Sequence, residues 1–372
     1  MSSFFGYDVR VLALVRGETS SVANPKLVFA YINSGTTSAG RIMSPYSLEF
    51  EVRYQDGSVH TVRRAVDLVT EAIECGYAPT ITFVVLDLLG NYRVNWFAKL
   101  TATSDEDTWT TEFPLLAVGT PIPDGYATIA MLRAEGVPVA FADARLALAI
   151  EVASRRIESI CQRFFEPRFQ KQDFDGAGGP MLLLEDPIIG VCDISYIFDS
   201  TSTSEIPVVL DNLKIYNRHM RGMTHPDDRD NPKVEFIGAS AMVGSDYYSG
   251  EEYSRYSGTY PQTRFSEGQQ NVRITGWFGY TDPDSLPFGS TPALISYVCV
   301  LMAMREVRPK WDTFGTGTGS GSHGNLTLER TRDQTVEYER GIDATFKAGI
   351  TGDPTIDQIL QQFMVPLRLG AA

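Results

Sequence analysis

The apolar positions of this chain change their period part-way along it. In Ser47–Arg53, Leu48, Phe50 and Val52 alternate with Glu49, Glu51 and Arg53, the period of a strand with one buried face. Gln55-Asp56-Gly57-Ser58 then reverses the chain and Val59–Val62 returns. Asp-Gly between two such runs predicts a hairpin, because the tight turn needs positive φ. Val9–Val15 and Leu27–Ile32 are β-branched and aliphatic, and a second hairpin is expected from Ile81–Asp87 to Tyr92–Leu100 through Leu88–Asn91. Val66–Ile73 fits a short helix or a strand equally. Short strands separated by turn signals predict a small β-sandwich over residues 1–118, of which the immunoglobulin arrangement is one form.

Gly119-Thr-Pro-Ile-Pro-Asp-Gly125 breaks the pattern and marks 119–137 as a linker. Beyond it the period lengthens. Leu146, Ile150, Ala153, Ile157, Ile160 and Phe164 recur every three or four residues, which predicts a helix over 143–165 with Arg155, Arg156, Glu158 and Arg163 opposite. Leu146, Ile150, Ile157 and Phe164 are its expected core residues. A β-rich excursion follows over 168–280, with strand-like runs at Phe169–Asp175, Met181–Leu184, Ile188–Phe198, Val208–Tyr216, Val234–Ile237 and Asn271–Tyr280. Thr291-Pro292 opens a second helix over 292–307, with proline at its first position. Leu294, Val298, Leu301 and Met302 form its expected apolar face, and Pro309 its expected end. Asp312–Asn325 is Gly-, Ser- and Thr-rich and reads as a flexible loop, and Asp353-Pro354-Thr355 introduces a terminal helix over 355–364. The expected class is therefore α+β: a β-sandwich at 1–118, a linker at 119–137, and a domain at 138–372 with a small helical core and a long β-hairpin excursion.

Composition narrows the function. At 372 residues the chain has room for two or three domains. With 43% hydrophobic and 21% charged residues it is ordinary globular material, which excludes wholesale disorder. Its net charge of −14 argues against gripping nucleic acid over the whole surface, though not against DNA passing nearby. Cys75, Cys161, Cys192 and Cys299 are too few and too scattered to predict a disulfide framework or a CxxC metal site. Cys161 and Cys299 lie in apolar helical runs and read as buried thiols. MSSFFGYDVR does not read as a signal peptide, and Leu286–Met304 is interrupted by Pro287, Gly289 and Pro292, leaving too short a run to span a bilayer. A soluble protein made in a cytoplasm is expected.

The candidate chemistry is sparse. Gly315–Asn325 lacks the Lys-Ser/Thr pair of a phosphate loop and stands outside a βαβ unit. Of the four histidines, His60, His219, His225 and His323, only His225 has carboxylates close in sequence, and Met223-Thr-His-Pro-Asp-Asp228 reads as a solvated turn. No G-x-S-x-G elbow is present in the sequence. Asp282/Asp284 and Glu251/Glu252 are acidic pairs, but glycosidase chemistry needs two carboxyls facing across a cleft, and Asp282-Pro283-Asp284 fits a turn. No catalytic residue, metal ligand or cofactor is assigned. The segment richest in contact-forming side chains holds Tyr247, Tyr248, Tyr253, Tyr256 and Tyr260, with Arg255 and Arg264. Tyrosine and arginine dominate interface hot spots, so these seven are the candidate interface residues.

Three blocks together resemble the head–tail connector (adaptor) proteins of tailed bacteriophages. The first runs through Ala153-Ser-Arg-Arg-Ile-Glu158, Cys161-Gln-Arg-Phe-Phe-Glu-Pro167, Asp173-Phe-Asp-Gly176 and Leu182-Leu-Leu-Glu-Asp-Pro187. The second is Gly268-Gln-Gln-Asn-Val-Arg-Ile-Thr-Gly-Trp-Phe-Gly-Tyr280, then Pro292-Ala-Leu-Ile and a helix ending at Arg305. The third is Thr351-Gly-Asp-Pro-Thr-Ile-Asp357. The resemblance covers most of 138–366 and implies a virion protein of the neck without catalysis or cofactor. It implies a ring of copies, commonly twelve, between portal protein and downstream neck or tail proteins. That ring would extend a DNA channel and give tail proteins a docking platform, with the duplex passing unbound. The segment 1–118 departs from the family's usual shorter chain; contact with the capsid or a neighbouring copy is one role for it. Two other classes fit parts of the sequence: a carbohydrate-binding or other surface β-protein, on its aromatic loops, and a carboxylate-dependent hydrolase, on its acidity.

Overall fold

A computed structural model gives the fold. It describes residues 14–15, 17–23, 25, 27–32, 40–84, 87–117, 123–197, 205–216, 228–237, 264–282, 288–311, 328–330, 335–337, 351 and 353–365. The class is α+β, with antiparallel sheets and few helices. The chain forms two compact units, each made of two separate pieces. The first comprises Met1–Gly119 and Phe165–Thr291, the second Thr120–Phe164 and Pro292–Ala372. Where the sequence reading divides the chain in consecutive order, contacts group the β-excursion with the N-terminal β-segment.

In the first unit, β1 (Leu14–Val15), β2 (Ser47–Tyr54), β3 (Val59–Ala65), β4 (Gly90–Lys99) and β5 (Asp107–Leu116) form a sheet in the order β1-β5-β4-β2-β3. The alternation read from β2 is real: Leu48, Phe50 and Val52 are buried. Gly57 takes φ 86° in the β2–β3 turn, as a tight hairpin needs. The second expected hairpin does not form. β4 pairs instead with β2 and β5, while Ile81–Thr82 pairs with Thr19–Ser20. The β4–β5 turn is closed by side chains, since Thr101 N–H donates to Ser104 Oγ at 3.0 Å and Ser104 N–H to Thr101 Oγ1 at 3.1 Å. Ser and Thr hydroxyls stabilise turns by such local bonds to the backbone. Residues 66–73 are mostly turn, ending in a two-residue strand Ala72–Ile73 paired with Gly76–Tyr77. One face of the five-stranded sheet is covered by Leu27, Phe29, Tyr31, Val66, Tyr77 and Phe83, which close a core around Trp96 and Tyr92.

The unit's second piece supplies β6 (Arg168–Gly176), β7 (Met181–Leu183), β8 (Ile188–Tyr196), β9 (Ile206–Pro207), β10 (Leu213–Tyr216), β11 (Lys233–Phe236) and β12 (Gly268–Phe278). They form a β6-β12-β8-β9 sheet and a β7-β11-β10 sheet. Val28, Ala30 and Ala78 of the first piece share a core with Phe169, Ile189, Trp277 and Phe288 of the second. Trp277 Nε1–H donates to the Cys75 carbonyl at 3.1 Å, and Lys171 pairs with Glu74 at 2.6 Å. Cys75 and Cys192 are disulfide-bonded, with Cα atoms 5.7 Å apart across a sequence separation of 117. The four cysteines form no framework, but the sequence reading did not foresee this one bridge: distance along the chain says nothing of distance in space once the two pieces share a core.

The second unit holds α1 (Ile129–Ala134), α2 (Asp143–Cys161), α3 (Ala293–Trp311) and α4 (Pro354–Phe363). α1 lies inside the segment read as linker. Thr128 caps it, its Oγ1 accepting from Met131 N–H at 3.2 Å, and Leu132 is buried. α2 stops at Gln162, which adopts φ 56° and leaves Phe164 beyond the helix. Leu146, Ile150, Ile157 and Phe164 are all buried as expected. α3 runs through Pro309 rather than ending before it. Proline there has no N–H to give the ladder, so the last turn of α3 forgoes one backbone bond. Asp353 caps α4, accepting from Thr355 N–H at 2.8 Å and Ile356 N–H at 3.3 Å. Among the described residues no helix is long and apolar enough to cross a membrane.

Candidate interaction surface

The core stripe of α2 fixes what its other side shows. With Leu146, Ile150, Ala153 and Ile157 inward, Leu148 and Val152 point outward, 60% and 46% exposed. Arg145, Glu151, Arg155 and Arg156 surround them and are exposed. Arg155 is held by Glu158 at 3.0 Å and Asp124 at 2.7 Å. Arg145 lies over the Phe141 ring, 6.0 Å from its centroid.

α3 corrects its expected face. Val298 and Met302 are buried, but the inward stripe continues through Ile295, Cys299 and Ala303. Leu294 is consequently 46% exposed and Leu301 only half-buried, with Tyr297 47% exposed beside them. Between α2 and α3 a shallow depression is lined by Val152, Arg156, Met302, Arg305, Glu306 and Thr351. Arg305 is fixed there by Asp353 at 2.5 Å. Large apolar side chains ringed by arginines suit contact with another protein surface.

In the first unit, the polar face of the β6-β12-β8-β9 sheet carries a charge ladder. Arg273 meets Asp173 through two bonds of 2.8 and 2.9 Å and Glu205 at 2.6 Å, and Ser195 donates to Glu205 at 2.9 Å. The hydrogen bond to Asp173 is the main reason the guanidinium holds its proton more firmly than usual. Burial, then the neighbouring Glu205, pushes the Asp193 carboxyl above the ordinary range. On the smaller sheet, Lys214 and Lys233 lie 4.4 and 4.3 Å from the Tyr216 ring centroid, and the Tyr216 hydroxyl donates to Glu235 at 2.7 Å. These charges hold one another in fixed geometry.

Of the seven residues singled out as an interface, Tyr247, Tyr248, Tyr253, Arg255, Tyr256 and Tyr260 lie outside the described residues, as do Glu251, Glu252, Asp284, Gly315–Asn325 and three of the four histidines. Arg264 is described and exposed. Its carbonyl accepts from the Tyr196 hydroxyl at 3.1 Å, and the adjacent Phe265 packs on Phe236 with centroids 4.8 Å apart. His60 is enclosed by Tyr54, Phe83 and Tyr92, its Nε2 3.3 Å from Asp87. Asp282 pairs with Arg229 at 2.7 Å. Among the described residues no group of three or more His, Cys, Asp or Glu side chains is arranged to hold a metal ion. Leu148 and Val152 were missed because reading a helix by its core stripe passes over apolar residues two positions further on.

No protein-family model and no curated protein matches the chain. Among solved structures, a chain from the neck of an empty GTA particle, computed with C6 symmetry, is similar at 18% identity and a TM-score of 0.32. The match covers 55% of this chain and 87% of that one. It is a weak likeness to the neck of a phage-like particle, and at that score it carries no argument about assembly.

Proposed function

We propose that this chain is a non-catalytic structural protein of a tailed-phage neck, assembling as a ring of copies between portal and tail. The observation that carries the reading is the exposure of Leu148 and Val152 on α2 and of Leu294 and Tyr297 on α3. A small helical unit that leaves large apolar side chains such as these in water gains stability when a neighbour covers them. Contacts between two different faces close into a ring when the rotation permits. The connector-like blocks along 138–366 supply the particle class. A ring of chains each carrying −14 would let a DNA duplex pass without gripping it, because binding needs basic side chains to neutralise phosphates. The portal protein and downstream neck or tail proteins are its proposed partners, with the N-terminal β-segment meeting capsid or a neighbouring copy.

Mass photometry and negative-stain imaging of the full-length chain, alone and mixed with portal protein, test this. Ring-sized particles are expected, and Leu148→Asp should dissociate them while the far-ultraviolet spectrum stays native. A chain that remains monomeric with portal protein present overturns the reading.

A further inference from the structure

The disulfide sits where the two pieces of the first unit meet. Cys75 occupies the turn between Ala72–Ile73 and Gly76–Tyr77, and Cys192 lies in the middle of β8. The bond closes a span of 117 residues. Non-covalent contacts already hold both sites in place. The Trp277 indole N–H is bonded to the Cys75 carbonyl, Lys171 pairs with Glu74, and Val191 N–H donates to the Gly40 carbonyl at 2.8 Å. Cys192 Sγ is 3.2 Å from the Thr275 carbonyl, so as a thiol it has an acceptor for its proton. Reduction would therefore leave the Cys192 thiol with a carbonyl to donate to.

The other two cysteines leave this pairing unique. Cys161 and Cys299 are fully buried. Burial pushes their thiols up to about 12 and about 11. Thiolate is the attacking species in exchange, so neither competes. Cys75 and Cys192 are only half-buried.

We propose that Cys75 and Cys192 form a redox latch: the chain folds with both thiols reduced, and an oxidising environment then locks the N-terminal β-segment to the β-excursion. The oxidant is a low-molecular-weight disulfide. One cysteine thiolate attacks a sulfur of that disulfide and expels a small thiolate, leaving a mixed disulfide. The second cysteine thiolate attacks the protein-bound sulfur and expels the other half. The two cysteines lose two electrons, the small disulfide gains them, and the two cysteine protons end on the two released thiols. In a thiol-rich compartment the exchange runs backwards and the latch stays open. Long loops gain most from closure, because the bond restricts the unfolded chain. The latch is independent of the proposed neck role.

The test uses the full-length protein, reduced and then held in buffers of graded oxidised-to-reduced glutathione. Thiols are alkylated, the chain is weighed intact, and the peptides are mapped. Loss of two thiols together is expected, with Cys75 and Cys192 in one linked peptide. Cys161 and Cys299 should alkylate only on unfolding. Reducing the bond should lower the melting temperature by about 5–15 °C, the range expected for a disulfide in a unit of this size, with the native far-ultraviolet spectrum kept. Cys75→Ser should melt with the reduced chain and no longer respond to glutathione. If Cys75 and Cys192 stay alkylatable in the folded chain under oxidising glutathione, the latch does not exist. A wild-type melting temperature unmoved by reduction overturns it equally, whatever the variant does.

Discussion

Tyr126 and Ser154 are joined by a hydrogen bond that holds the entry to the helical unit. The Tyr126 backbone N–H donates to Ser154 Oγ at 3.0 Å, and that hydroxyl donates to the Ile150 carbonyl at 2.8 Å. The same oxygen is 3.3 Å from Cys299 Sγ on α3. A Cβ on Gly125 would stand 2.3 Å from it. Ser154→Ala removes the acceptor and strands a buried N–H, which should cost about 1–3 kcal/mol. Gly125→Ala should cost a similar amount by crowding. Urea denaturation measures both, and midpoints equal to wild type would show that the segment is not pinned here.

Two residues on α2 should respond very unequally to truncation. Ile157 is fully buried, and Ile157→Ala is expected to cost about 2–5 kcal/mol. Leu148 is 60% exposed, so Leu148→Ala in the dissociated chain should change stability by less than about 0.5 kcal/mol. Equal losses in thermal melts would contradict the orientation of α2.

Glu71 and Asp193 predict acid responses of opposite sign. Burial raises the Glu71 carboxyl, but hydrogen bonds from Arg64 and from the Thr80 and Asp67 backbone outweigh it, so its pKa falls below the ordinary 4.5. Its contribution is present above that ordinary value and is lost as pH drops through the lowered one. Glu71→Gln should reduce stability at neutral pH by about 1.5–3 kcal/mol and flatten the decline below pH 4.5. The Asp193 carboxyl is raised, so stability is lost as pH climbs through its folded value. Asp193→Asn should therefore stabilise the protein at neutral pH. Urea midpoints between pH 3 and 7 check both; matching shifts in the two variants would refute the assignment.

A fragment of residues 1–119 is expected to fold, because Leu48, Phe50, Trp96, Tyr92 and Phe113 have their own core. It should melt below the intact chain and bind a hydrophobic dye, since Val28, Ala30 and Ala78 lose Phe169, Ile189 and Trp277. Circular dichroism and dye fluorescence report the two effects. An unfolded product would show that the β-segment needs the excursion.

What local pattern determines was legible in the chain. The Leu48–Phe50–Val52 alternation, the Asp56-Gly57 turn, the α2 stripe and the Asp353-Pro354 start of α4 each depend on a few neighbouring residues. What long-range packing determines was not. Nothing near Gly90 says that β4 pairs with β2 and β5, and nothing near Cys75 points to Cys192. Leu294 was placed in a core because the period fits it, yet the stripe that packs runs one residue further on, through Ile295. The candidate surface was hidden for the same reason: Leu148 looks like any other helical leucine until its neighbours' partners are known.

The interleaving of the two units has a consequence for the order of events during synthesis. Neither unit is contiguous, and the first is complete only when residue 291 has been made. At a typical ribosomal rate of about 5–20 residues per second, roughly ten to thirty seconds separate the end of its first piece from the end of its second. For much of that interval Val28, Ala30 and Ala78 lack the full set of side chains that cover them, Trp277 and Phe288 being made last. α2 is meanwhile synthesised before α3 exists to receive its stripe. The nascent chain thus carries two uncovered apolar surfaces at once, and its yield in a cell should depend on chaperone supply and on elongation rate more than the stability of the finished protein would indicate.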